Sequence, residues 1–205
     1  MKAAERAQRR DEILNIAVEV LAERGYRDTS MLEIARRASA SKETLYGWFG
    51  DKRGLFEAVI RRNAETVQGV LAGDLANDPG REAATEAVLR DFGSALLELL
   101  LGESAVAINR AAISEARADP SLAQLLAESG REATLPGFIR FLEQRRDHGE
   151  LAFRDAEVAA EDFLGLLLGD RQVRRLLGLL APPRRAQIDA RVARAVQTFL
   201  RIYGA

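Results

Sequence analysis

The sequence predicts an all-α protein. Alanine, leucine, glutamate and arginine, all strong helix formers, dominate its 205 residues. Only five prolines interrupt them, and runs of β-branched residues are few. Apolar side chains recur at three- and four-residue spacing between capping residues.

Ile13, Ala17, Val20 and Leu21 mark a first helix over 9–24, which Gly25 stops. Ser30 stands three residues before Glu33, a capping-box pattern that opens a short second helix with Ile34, Ala35 and Ala38 inward. A break at Ser39-Ala40 leads to Ser41, the N-cap of a third short helix that sets Leu45 and Phe49 on one side. Gly50 closes it, and Asp51 caps a longer fourth helix striped by Leu55, Phe56, Val59 and Ile60.

Beyond about residue 72 the helices lengthen. A loop over Gly73–Gly80 is followed by helices expected at 81–101, 104–117, 120–147, 155–180 and 184–203. Asp119-Pro120 and Asp155 are their clearest starts. Pro136 is expected to kink or split the helix over 120–147, with Gly130 and Gly137 as weak points. The chain divides accordingly into a 1–60 domain, a connecting fourth helix reaching about 72, and a 73–205 helical body.

Composition excludes several classes of function. There is no cysteine, so disulfides and thiolate metal sites are ruled out. His148 is the single histidine, too few for a carboxylate–histidine di-iron bundle, so no enzyme, metal or cofactor is expected. The first ten residues are charged and runs such as Leu164–Leu168 are short, so a cytoplasmic protein without a membrane partner is expected. The net charge of −1 divides unevenly: residues 1–62 hold 13 Lys/Arg and 10 Asp/Glu, giving +3 there and −4 in the remainder. That asymmetry fits a small DNA-contacting module on an acidic body.

Two short helices joined by a tight turn, between longer helices, meet the requirements of a helix-turn-helix. Leu32, Ile34, Leu45 and Phe49 can fill its small core, with Ala35 where the helices cross. The opposite face of 41–49 then carries Lys42, Glu43, Thr44, Tyr46 and Trp48, a set of donors, an acceptor and aromatics suited to a major groove.

The stretches Thr29-Ser30-Met31-Leu32-Glu33-Ile34-Ala35, Ser41-Lys42-Glu43-Thr44-Leu45-Tyr46-Gly47-Trp48-Phe49 and Asp51-Lys52-Arg53-Gly54-Leu55-Phe56 together resemble the signature of the tetracycline-repressor (TetR) family, continuously over about 13–60. The resemblance implies an N-terminal three-helix DNA-binding domain on a larger helical domain that binds an effector and dimerises. It implies a ligand-released repressor acting on a pseudo-palindromic operator; an activator of the same fold, or a helical interaction module without specific reading, is the alternative. It also implies that the helix beginning at Ser41 enters the major groove with Lys42, Glu43 and Thr44 toward the bases. Tyr46 and Trp48 then match backbone-touching positions, and Lys52 matches a lysine that grips phosphate. Thr29 and Ser30 can add hydroxyl or helix N-terminal amide contacts. Many relatives have glycine and valine where this chain has Ser39 and Ala40; a left-handed Ser39 would cost on the order of 1–2 kcal/mol. Arg6, Arg9 and Arg10 form either an arm toward an adjacent minor groove or a solvated tail.

The body offers no ligand motif. By the same resemblance, its last two long helices meet their mates in the homodimer, and Phe163, Leu164, Leu167, Leu168, Leu176, Leu177, Leu180, Val192, Val196, Phe199 and Leu200 supply more apolar surface than one subunit covers. Some of these must serve an intramolecular core. Phe92, Leu96, Val106, Ile113, Phe138, Phe141 and Leu142 could line a cavity for an apolar or aromatic effector, or be simple core. Asn109, Arg110 and Arg171 either orient that ligand or make structural ion pairs with Glu98, Glu115 or Asp170.

Overall fold

The computed structural model describes residues 3–75 and 85–205. Among them the architecture is helical, and the extended contact is a bridge between Leu151 and Gly204. The helices are α1 (Ala3–Asp28), α2 (Met31–Arg37), α3 (Lys42–Phe49), α4 (Lys52–Leu75), α5 (Thr85–Leu101), α6 (Glu103–Glu115), α7 (Ser121–Leu126), α8 (Glu132–Asp147), α9 (Ala156–Leu168), α10 (Arg171–Leu176) and α11 (Arg185–Tyr203). The loop expected at 73–80 and the helix start expected at 81 fall mostly outside the described residues, while α4 continues to Leu75.

The caps explain where the short helices begin. Ser30 Oγ accepts from the Glu33 amide at 3.2 Å and Ser41 Oγ from the Thr44 amide at 3.0 Å. Asp51 Oδ1 accepts from the Gly54 amide at 2.8 Å, and Asp155 Oδ1 from the Glu157 and Val158 amides at 2.8 and 3.2 Å. Each satisfies amides that the first helical turn leaves unpaired. Gly25 and Gly50 take left-handed φ of 74°, where the sequence placed helix stops.

Two long helices expected from the sequence are broken. The 120–147 stretch splits at a π-turn over Ala127–Arg131, which contains Gly130, rather than at Pro136. Pro136 lies one turn into α8, where the carbonyl it cannot pair with belongs to the helix's first residue, Glu132. The 155–180 stretch is broken at Gly169, which takes a left-handed φ of 52° between the end of α9 and the start of α10.

Contacts gather the chain into two compact units: residues 1–63 with Glu103–Gly130, and Ala64–Gly102 with Arg131–Ala205. In the first, Ile13, Leu14, Ile34, Leu45, Leu55 and Phe56 form a core completed by Ile108 of α6 and by Leu122 and Leu125 of α7. Leu32 does not join it: α2 turns Met31, Ile34 and Ala35 inward and leaves Leu32 65% exposed. In the second unit Phe92 stacks on Phe138 at 4.3 Å and Phe163 meets Phe199 edge-on at 5.3 Å. A Cβ at Gly93 would stand 3.3 Å from both Leu167 and Val192, so glycine there lets α5 approach α9 and α11 without displacing those side chains.

Candidate nucleic-acid interface

α2 and α3 form a helix-turn-helix fixed from three sides. Below it, the fully buried Leu45 and the largely buried Phe49 anchor α3 in the core of the first unit. Within the turn, the Ala40 amide donates to the Ala35 carbonyl at 2.9 Å, and Ser39 takes a φ of 47°, the one positive φ of a non-glycine among the described residues. From α1, the Arg9 guanidinium donates to the carbonyls of Ala38 and Ser39, the latter at 3.1 Å. Arg6 lies over the Trp48 ring at 5.5 Å and Arg10 over Phe49 at 5.3 Å. The arginines read as an arm or a tail are therefore the first turns of α1, bracing α3 and the turn.

This bracing leaves the outer face of α3 open. Lys42, Glu43 and Tyr46 are exposed, and Thr44 and Trp48 are half-buried. Ser41 Oγ and Thr44 Oγ1 share a hydrogen bond of 3.0 Å, and Lys42 Nζ lies 5.5 Å from the Tyr46 ring. Hydrogen bonds to its own backbone amide and to the Ser41 hydroxyl hold the Glu43 carboxyl below the usual carboxylate range. One helical turn thus presents an ammonium, an ionised carboxylate and a hydroxyl together.

Two expected contact residues already have partners. Thr29 is buried, its hydroxyl donating to the Gly25 carbonyl at 2.7 Å, so it closes the end of α1. Lys52 Nζ donates to the Tyr26 carbonyl at 2.7 Å and lies 4.3 Å from the Tyr26 ring centroid; partial burial pushes its pKa down. Glu33, read from sequence only as part of a cap, also sits among Arg24, Arg36 and Arg37. Hydrogen bonds from Arg36 and then Arg37 lower its pKa to about 2.

The residues expected at an effector pocket belong to both units. Phe92, Leu96, Phe138, Phe141 and Leu142 pack in the core of the second unit. Val106, Asn109, Arg110 and Ile113 lie on α6, in the first. Ile113 is 64% exposed. The Asn109 amide is satisfied by the Ala105 carbonyl of its own helix at 2.8 Å. Arg171 instead lines an open cleft with Leu97, Leu101 and the α11 arginines Arg191 and Arg194.

Of the residues expected to cover a dimer partner, Phe163, Leu167, Val192, Val196 and Phe199 are intramolecular core. Leu164, Leu168 and Leu200 pack against that core, and Leu176 and Leu180 are half-buried. Leu177 is outward, as are Val158, Val173, Leu179 and Ile202. Periodicity identifies an apolar face but not what covers it, and here much of it is covered from within.

Comparison with known proteins bears on both parts of the chain. Residues 13–59 match the family described as bacterial regulatory proteins, tetR family, and residues 87–205 match the AefR-like transcriptional repressor C-terminal domain. A TetR transcriptional regulator from Agrobacterium tumefaciens is 34% identical, with 96% of this chain and 95% of that one covered and a TM-score of 0.70. The flavonoid-responsive regulator FrrA is 30% identical, with 97% and 98% covered and a TM-score of 0.67. The HTH-type transcriptional regulator AlkX of Mycobacterium tuberculosis is 27% identical over 203 residues, 98% of this chain and 89% of that protein.

Proposed function

The chain belongs to the TetR family of bacterial regulatory proteins, and from that premise we propose that it is a cytoplasmic repressor that sets two copies of α3 in the major groove of a pseudo-palindromic operator until a small effector releases it. The observation that carries this reading is the open first turn of α3, where Lys42, Glu43 and Thr44 project from a helix anchored by Leu45 and Phe49. One such turn reads too few bases to single out a genomic site, so the operator needs a dimer. Val158, Val173, Leu177, Leu179 and Ile202, exposed in the second unit, support a homodimer surface there.

An apolar or aromatic effector fits the character of the body, and FrrA, which is flavonoid-responsive, is a relative of the same length class. α4 is one continuous helix whose residues serve the first core up to Ile60 and the second from Val67, which makes it the natural carrier of a ligand signal. A gel shift on the DNA upstream of the protein's own gene, repeated with flavonoids and other apolar compounds, tests the proposal. A specific complex dissolved by one such compound supports it; binding that never exceeds that to random DNA rejects it.

A further inference from the structure

A cleft of about 400 Å³ opens in the second unit between the C-terminal end of α5, α10 and α11. Its walls combine two chemistries. Leu180, Ala181 and Pro183 give it an accessible apolar side over the buried Leu97, Leu101 and Ile188, and Arg171, Arg174, Arg175, Arg191 and Arg194 all border it. Some of these arginines are accounted for. Arg175 is buried, donating to the Leu101 carbonyl at 3.0 Å and the Leu180 carbonyl at 3.3 Å, so it builds the wall. Arg174 stands 3.9 Å from Asp170.

The remaining three form a positive cluster in which no guanidinium makes an ion pair within 4 Å among the described residues. Arg191 donates Nε to the Leu167 carbonyl at 2.8 Å, and the carboxylate that acts on its charge is Asp170, which also stands 3.9 Å from Arg174. Arg171 and Arg194 make no ion pair or hydrogen bond among the described residues. The nearby carboxylates Glu98 and Asp189 are both taken by Arg185, at 2.6 and 2.9 Å. Burial and then the charges of Arg171 and Arg194 lower the Arg191 pKa, and the Asp170 carboxylate opposes them without reversing the direction.

A half-open cleft that gathers like charges beside leucine side chains is relieved by an anion and filled by a hydrocarbon. We propose that this cleft binds an amphipathic organic anion, with its carboxylate or phosphate held by Arg171, Arg191 and Arg194 and its apolar portion lying on Leu180, Ala181 and Pro183. The inference concerns a site apart from the packed aromatic core and rests on the regulator reading only for its role as a signal, since binding itself needs no DNA.

Calorimetry on the full chain without DNA tests it, with hexyl phosphate and hexanoate as probes, hexanol as the neutral control and inorganic phosphate as the headgroup alone. One saturable site per protomer is expected for a hexyl anion, with hexanol failing to saturate and inorganic phosphate binding more weakly. Whichever hexyl anion binds tighter identifies the headgroup. The double variant R171Q/R194Q removes two charge-assisted contacts and is expected to weaken the anion about tenfold or more while circular dichroism and melting remain those of the parent. Sedimentation of the same variant separates the other reading of the cluster: if the dimer dissociates while anion affinity is unchanged, the arginines serve a second copy of the chain and the proposal fails. Equal anion affinity in parent and variant, or no saturable binding, overturns it as well. Operator binding measured on the same samples keeps failure here distinct from failure of the regulator reading.

Discussion

Arg9 reaches across 30 residues of sequence to donate a hydrogen bond to the carbonyl of Ser39, the residue that carries the strained left-handed turn of the helix-turn-helix. The same guanidinium also bonds the Ala38 carbonyl, so one side chain closes the exposed end of α2 and supports the conformation that a glycine would adopt without cost.

Arg9→Ala is therefore expected to destabilise the protein by about 1 kcal/mol, the scale of a partly exposed charge-assisted hydrogen bond. Ser39→Gly is expected to stabilise it by about 1 kcal/mol through relief of the left-handed penalty. Urea denaturation of both single variants and the double variant checks this. A stabilising Ser39→Gly that restores the midpoint lost in Arg9→Ala is the expected result.

Lys52→Met removes both the carbonyl contact that closes α1 and a positive charge near the groove-facing surface. A loss of about 1 kcal/mol in stability is expected from the first. From the second, binding to operator and random DNA should fall equally, and the salt slope should shrink by about 0.9. Melting and salt-titrated binding read the two effects separately, and an unchanged melting temperature would remove the structural role.

Glu33 gives a pH dependence of definite sign. Its pKa in the fold is about 2, against an ordinary 4.5. A depressed carboxylate adds stability that is complete above the ordinary value and is lost as pH falls from about 4.5 toward 2. The contribution is small because the arginines that pair with it are partly exposed to screening solvent. The stability difference between the parent and Glu33→Gln should be present at pH 6 and fade by pH 2.5; a difference independent of pH would assign the effect to shape alone.

Leu177 is 68% exposed, on a face that also shows Val173 and Leu179. Leu177→Glu should leave each subunit folded, shift the protein toward monomer, and weaken operator binding by about a hundredfold or more by uncoupling the two half-sites. Sedimentation and gel shift on one preparation check the pair of effects together.

The parts of this fold legible in the sequence are those set by neighbours along the chain. Ser30, Ser41, Asp51 and Asp155 cap helices because a side chain two or three residues before an amide can reach it, and spacing reports that directly. The Arg9–Ser39 contact joins residues far apart, and no periodicity marks it. Gly169 ends a helix ahead of the polar run Asp170-Arg171-Gln172, a signal of the same kind as Gly25 and Gly50 that the apolar residues on either side mask. Phe163 and Phe199 are apolar at helical spacing whether they meet a partner subunit or one another; in the structure they meet one another. The arginine cleft was half visible: Arg171 stood out, but Arg191 and Arg194 join it only because α10 and α11 both pack on α5.

The account rests most heavily on α3 as the reading element of a dimer. Hydroxyl-radical footprinting of the upstream DNA, with the parent, Lys42→Ala and Leu177→Glu, measures this most directly. The parent should protect two dyad-related half-sites whose centres lie about 34–36 Å apart or a multiple of that. Lys42→Ala should keep that footprint while its preference for operator over random DNA falls about tenfold, as loss of a base contact does, and Leu177→Glu should abolish it at the same protein concentration. A single asymmetric protected site, or a Lys42→Ala protein with undiminished preference, would contradict the account.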